Sequence, residues 1–115
     1  MDKRQSGRQG EKIASDFLQS LGYQILAMNY YTRYGEIDII AKEKDVLVFV
    51  EVKKRSTARY GTGAQAVTPK KIAKIRTCAG LYLQENELYN QELRFDIVEI
   101  SGGGANGINH IIAAF

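Results

Sequence analysis

A run of five apolar residues, Val46 to Val50, constrains this chain more than any other segment. Such a run reads as a buried strand. It continues directly into Glu51-Val52-Lys53, and because strand side chains alternate, Glu51 and Lys53 share one side. A strand this apolar that carries a carboxylate and an ammonium near its end must either pair them with each other or put them to use.

The segment before it, Gly35 to Ala41, alternates in the same way, and the polar stretch Lys42 to Asp45 predicts a hairpin joining the two. Glu36, Asp38 and Ile40 then share a face, as do Leu47, Phe49, Glu51 and Lys53. Ile37, Ile39 and Ala41 meet Val46, Val48, Val50 and Val52 on the other, wholly apolar face, which a helix should cover. Two registers are open. A loop centred on Glu43 and Lys44 sets Glu36 opposite Glu51, with Asp38 diagonal to it. A shift of one residue sets Asp38 opposite Glu51 instead. Either register gathers carboxylates within about 5–8 Å of one another at the end of the hairpin away from its turn.

Carboxylates so close repel one another, raise a pKa and call for a cation. Mg²⁺, or Mn²⁺ in its place, suits Asp38 and Glu51 as ligands, because such an ion takes one or two carboxylates plus waters and phosphate oxygens. Lys53 would lie beside it, able to orient or help deprotonate a water or to steady a phosphate. The plainer account is a structural ion pair of Glu51 or Asp38 with Lys53 or Arg33. A Glu-x-Lys triplet decides nothing alone when 25% of residues are charged. Its position at the end of a buried strand, next to Glu36 and Asp38, carries the signal.

Around this hairpin the pattern is regular. Ser6 and Gln9 have capping-box spacing, and Gly22 follows the last periodic residue, so a helix is expected over about 7–21. Ile13, Ala14, Phe17, Leu18 and Leu21 form its apolar stripe. Gly10 falls inside the stripe, where the backbone can approach something flat, and Glu11 falls at its edge, within reach of the sheet rim. Residues 23–30 read as a first strand. Thr68-Pro69 caps a second helix, with Ile72, Ile75, Ala79, Tyr82 and Leu83 on one face and Lys70 and Lys74 roughly opposite. Residues 93–100 read as a fourth strand and 108–115 as a short last one. The order αβββαββ predicts an α/β fold, a mixed central sheet packed against helices. With 115 residues, 1–115 is expected to be a single domain.

The net charge of +3 is uninformative, but its distribution is not. Residues 53–59 and 69–76 each hold four basic residues and no acid, which suits either a polyanion or a solvated basic face. The lone Cys78 cannot form an internal disulfide, and neither an apolar leader nor a membrane-length apolar run is present, so a cytoplasmic location is expected. Tyr30, Tyr31, Tyr34 and Tyr60 could stack on bases, but half-buried strand positions are the plainer account of them. His110 reads as an ordinary strand residue and Cys78 as inert packing.

The blocks GRQGE (7–11), NYYTRYGEIDII (29–40), VLVFVEVKKRS (46–56), AVTPKK (66–71), RFDIVEI (94–100) and the terminal AF resemble the YraN family, small bacterial proteins of the restriction-endonuclease-like superfamily. The resemblance covers nearly the whole chain. It implies that superfamily's fold and its site pattern of one acid followed by (Asp/Glu)-x-Lys, here Asp38, Glu51 and Lys53. Glu11 resembles the helix glutamate of archaeal Holliday-junction resolvases, an outer ligand or water-binder. Ile37 stands where many members have a proline. The activity implied is Mg²⁺-dependent (or Mn²⁺-dependent) hydrolysis of phosphodiester bonds in structured or branched DNA, with Asp38 and Glu51 as metal ligands, Lys53 as the water-orienting or charge-stabilising group and Glu11 as the further catalytic residue. The alternative is a nucleic-acid-binding or adaptor protein that keeps the fold with little or no catalysis. Arg33, Lys54, Arg55, Arg59, Lys70 and Lys71 become candidate phosphate contacts. Gln65 either binds substrate, holds Lys53 or is a plain loop amide, and Glu36 either serves the site or pairs with Arg33. A junction enzyme would be expected to act as a homodimer. DNA and RNA are not distinguished.

Overall fold

The structure is a computed structural model that describes residues 3–55, 67–101 and 107–115, with side chains from Gln9 onward except that of Arg55. Arg59, Tyr60 and Gln65 lie outside the described residues. The elements run α1 (Lys3–Ser20), β1 (Gln24–Thr32), β2 (Gly35–Glu43), β3 (Val46–Arg55), α2 (Pro69–Glu85), β4 (Glu92–Ser101) and β5 (Ile108–Ile111). One five-stranded sheet has the order β1-β2-β3-β4-β5. Only the β3–β4 pair is parallel, because the α2 crossover separates those strands; the other neighbours are antiparallel. The expected αβββαββ order and mixed sheet are both present.

Both faces of the sheet are covered. Ile39, Ala41, Val48 and Val50 pack with Val98 and Ile100 under Ala14 and Leu18 of α1. On the opposite face Ile40, Leu47 and Phe49 pack against Ile75, Cys78 and Ala79 of α2. The continuous apolar run of β3 follows from this, since each of its faces meets a helix. Ile37 departs from the expected alternation: it sits in the α2 cluster with Ile40, not on the Ile39 side. The reason lies in the ladder around Asp38. Across from it on β1, Asn29 has a left-handed backbone (φ 53), and the recorded β2–β3 pairing stops at Ile39–Val50. The regular pleat therefore fails on both sides of Asp38.

The hairpin turn is tighter than the four-residue stretch that predicted it. Glu43 pairs with Val46, leaving Lys44 and Asp45 as a two-residue loop with Lys44 at φ 54. Primed turns of this kind match the strand twist. Their register, continued from Ile39–Val50, puts Asp38 opposite Glu51, the second of the two arrangements open from the sequence.

α1 is already helical at Lys3, so Ser6 lies inside it and does not cap it. Its other end behaves as expected: the amides of Gly22 and Tyr23 bond Gln19 and Leu18 carbonyls, with Gly22 at φ 95. Leu21 lies beyond the last helical turn and is 52% exposed, so it does not join the stripe. The Thr68 hydroxyl caps α2 by accepting from the Lys71 amide at 3.2 Å, with Pro69 at the first helical position.

Gly10 is buried against β3, as its place in the stripe suggests, yet there is room for a methyl. A Cβ at this position would meet Val52 Cγ1 and Lys54 Cδ at 3.9 Å, ordinary van der Waals contact. Helix propensity then dominates, and Gly10→Ala is expected to raise stability by about 0.5–1 kcal/mol, read as a rise in the thermal midpoint. A drop would mean that the helix must sit closer to β3 than this structure places it.

Candidate active site

The ladder break at Asp38 creates the site. The backbone amide of Val52 donates to Asp38 Oδ2 at 2.8 Å, so a side chain takes the place of a strand partner. Asp38 is thereby fixed at the mouth of the hairpin and is only 8% exposed. Glu51, on the side of β3 that also carries Leu47 and Phe49, is 6% exposed. From the other layer Glu11 of α1 reaches across the sheet rim to the side chains of Asn29 and Asp38. Glu36 completes a group of four acids, but it is exposed.

The electrostatics follow from this crowding. Burial, then the charge of Glu51, then those of Glu11 and Glu36 push the Asp38 carboxyl up to about 8, against the opposing pull of the Val52 amide. Glu11 is also raised, chiefly by burial, with Glu36 and Glu51 adding to it. A hydrogen bond between the Glu11 and Asp38 carboxyls needs a proton on one of them, which agrees with both directions.

Two lysines address these acids. Lys53 Nζ lies 3.9 Å from Glu51 Oε1, and Lys71 Nζ, from the first turn of α2, lies 2.5 Å from the same oxygen. Burial lowers the Lys53 pKa and the neighbouring Lys71 lowers it further, while Glu51 and Asp38 pull the other way without cancelling. Burial also works against the charge on Lys71, but its bond to Glu51 prevails and its pKa is raised.

Glu36, Asp38 and Glu51 form one wall of an open cavity of about 370 Å³. Thr68, Lys70, Lys71 and Lys74 of the α2 start line the other wall. Lys70 and Lys74, expected on the outer face of α2, are indeed exposed, yet both border this cavity. Gly35, at φ 145, forms its floor where a side chain would be strained.

Of the residues singled out from the sequence, Glu11, Asp38, Glu51, Lys53, Lys70 and Lys71 come together here. Lys71, expected as a phosphate contact, is in this structure the near partner of Glu51. Arg33 sits in the β1–β2 turn with its guanidinium 4.9 Å from the centre of the Tyr34 ring. Lys54 is exposed on β3. Tyr30 packs edge-on against Tyr82, whereas Tyr31 and Tyr34 are 72% and 42% exposed. The half-buried account thus holds for Tyr30 alone among these three. Asn29, which steadies Glu11, was not foreseen, because nothing in the residue string announces a left-handed position inside a strand. Glu99 was also missed: it is buried and in register with Lys53 across β3–β4, which the alternation of 94–100 could have shown.

His110 stands apart from this site. Its Nε2 lies 2.8 Å from Oδ2 of the fully buried Asp96, so it is part of a polar network and not a plain strand residue. Cys78 is buried in the α2 layer, with Sγ 3.1 Å from Thr32 Oγ1.

No three His, Cys, Asp or Glu side chains among the described residues converge in a metal-holding group. The donor set fits a cation held by two carboxylates, Asp38 and Glu51, and completed by water or phosphate oxygens. No helix among the described residues is long and apolar enough to cross a membrane.

A family model described as "Uncharacterised protein family UPF0102" matches residues 10–100. Similar proteins carry the same family designation. One from Sulfurihydrogenibium sp. (strain YO3AOP1) is 46% identical over 115 residues, covering 100% of this chain and 97% of that protein. One from Syntrophomonas wolfei is 44% identical over 113 residues, covering 97% and 98%. One from Clostridioides difficile is 44% identical over 115 residues and covers both chains completely.

Proposed function

The chain belongs to the uncharacterised protein family UPF0102, and for a member with this site we propose a metal-dependent endonuclease of the restriction-endonuclease-like kind, hydrolysing phosphodiester bonds in structured or branched DNA. One observation carries the reading. Two buried acids, Asp38 and Glu51, lie side by side at the mouth of a hairpin, where burial and then the charge of Glu51 raise the Asp38 pKa, beside a cavity whose facing wall is lysine-rich. A structural ion pair needs one acid and one base. A second buried acid, with a third reaching over it, is a stability cost that a cation-binding site explains.

Asp38 and Glu51 would hold Mg²⁺ or Mn²⁺, which when bound supplies Lewis-acid polarisation of a phosphate oxygen and a more acidic water. The chain's own groups do the rest. Lys53, its ammonium destabilised by burial and by Lys71, orients the attacking water and can take its proton or neutralise the phosphate. Glu11, anchored by Asn29 and Asp38, holds a water on the α1 side. Lys70, Lys74 and Arg33 offer ammonium and guanidinium groups to backbone phosphates, which position a strand without reading its sequence. Tyr31 and Tyr34 offer exposed rings to unpaired bases.

The 2.5 Å contact of Lys71 with Glu51 favours a second reading, a nucleic-acid-binding protein that keeps the fold without catalysis. Purified protein incubated with a four-way DNA junction and a linear duplex separates the two. Cleavage that needs Mg²⁺, stops with chelator, returns on adding metal back and is lost in Asp38→Ala and Lys53→Ala is the expected result. Salt-sensitive binding without product on any substrate would select the second reading. Cutting that ignores chelator, or survives both substitutions, would remove the first.

A further inference from the structure

We propose that Lys71 is the resident counter-ion of Glu51, which a divalent cation must displace, so that metal and polyanion binding favour one another. This rests on the metal-site reading above. Glu51 is buried, and a buried carboxylate requires a partner. Lys71 is that partner at 2.5 Å, with Lys53 farther off at 3.9 Å. A Mg²⁺ ion sits about 2.1 Å from its ligand oxygen, so an ammonium held that tightly on Oε1 competes with it for one place.

The geometry also provides a way out. The Lys71 backbone is pinned by the Thr68 cap, while its side chain is 41% exposed and borders the cavity. Released from Glu51, the ammonium stays near Lys70 and Lys74, where a phosphate is its natural partner. A strand that draws Lys71 onto its phosphate uncovers Glu51 for the metal, and a metal on Glu51 frees Lys71 for the strand. Such coupling is reciprocal by thermodynamic necessity.

The test is Mn²⁺ binding without nucleic acid, followed by electron paramagnetic resonance of the free ion. Lys71→Met removes the competitor and is expected to bind Mn²⁺ roughly tenfold more tightly than wild type. Its thermal midpoint should be lower in chelator and rise further on adding Mn²⁺ than the wild-type midpoint does. Lys71→Arg keeps the charge in a two-pronged form and should weaken Mn²⁺ binding, which decides the matter should the methionine variant not fold. Lys12→Met, which removes an exposed positive charge elsewhere on α1, should bind as wild type does. If Glu51→Gln abolishes Mn²⁺ binding but Lys71→Met and Lys71→Arg match wild type, the counter-ion role is wrong and the metal site stands. If wild type and all variants take up no Mn²⁺, the metal reading fails and the counter-ion proposal fails with it.

Discussion

Exchanging Asp38 for asparagine is expected to lower Mg²⁺-supported cleavage at least about 100-fold while making the metal-free protein more stable, not less. The two effects have one cause. Asp38 is crowded by Glu51, Glu11 and Glu36, all of which raise its pKa after burial itself. Asparagine keeps the size of the side chain and an oxygen for the Val52 amide, so the bond that closes the hairpin mouth survives. What it removes is first the cost of burying an ionisable carboxyl and then the like-charge repulsion, and its amide adds a donor for Glu11 or Glu51. A gain of about 1–2 kcal/mol, or roughly 5 °C or more in the thermal midpoint, is expected in chelator. Activity suffers because the amide is neutral and a far poorer ligand for a hard cation. If Asp38 were only part of a structural ion pair, the same change would destabilise the fold and leave any cleavage untouched. Thermal unfolding in chelator and junction cleavage in Mg²⁺ read the two effects separately. A destabilised variant with wild-type cleavage would end the active-site interpretation.

This opposition between stability and function also explains which features the residue string could reveal. Alternation along Gly35–Ala41 and Val46–Lys53 was enough to bring the acids to one end of a hairpin, because a two-residue period leaves few ways to pair two strands. The choice between two registers depended on the turn. Lys44 adopts a left-handed backbone there, although glycine or asparagine is the usual residue at such a position. Ile37 broke the alternation because Asp38 replaces a ladder partner, and strain of that kind is a three-dimensional property. Lys71 reads from its neighbours as one more lysine in a basic run. Its bond to Glu51 depends on where α2 lands after the crossover, and strand pattern says nothing about that. The same holds for Asn29, which matters through one unusual backbone angle.

The Asp96 network is the clearest case of a feature hidden from the linear pattern, and it carries the largest expected loss of stability. Arg94 and Asp96, two apart on β4, share a side, which the sequence does show. The remaining partners come from β2, β5, Tyr23 just before β1 and Ala113 just after β5. Asp96 is fully buried and accepts from Arg94 Nε at 2.9 Å, Arg94 Nη2 at 2.8 Å and the Ala113 amide at 3.0 Å, with His110 Nε2 at 2.8 Å. Arg94 is held in turn by Glu43 at 2.8 Å and the Tyr23 hydroxyl at 2.6 Å. Asp96→Ala leaves a guanidinium and an imidazole facing a buried gap, and breaking a buried charge network from one side costs about 3–5 kcal/mol. That is a large part of the 5–15 kcal/mol typical of a whole domain. Burial alone would raise the Asp96 pKa, but the His110 and Arg94 hydrogen bonds and the Ala113 amide outweigh it and the carboxyl ends below its ordinary value. Its contribution is therefore fully present above the unfolded carboxylate value of about 3.9 and is lost as pH falls towards the depressed folded value. The gap between wild type and Asp96→Ala seen at pH 7 should narrow below about pH 4, as the carboxyl takes up its proton. Asp96 stands across from Val50 and shares the α1 face of the sheet with Val98 and Ile100, whereas Glu51 shares the α2 face with Leu47 and Phe49, so the variant should still bind Mn²⁺ as wild type does when cold enough to stay folded. Denaturant titrations across that pH range check the stability claim. A loss under about 1 kcal/mol at pH 7 would show that the network is not fixed as a unit.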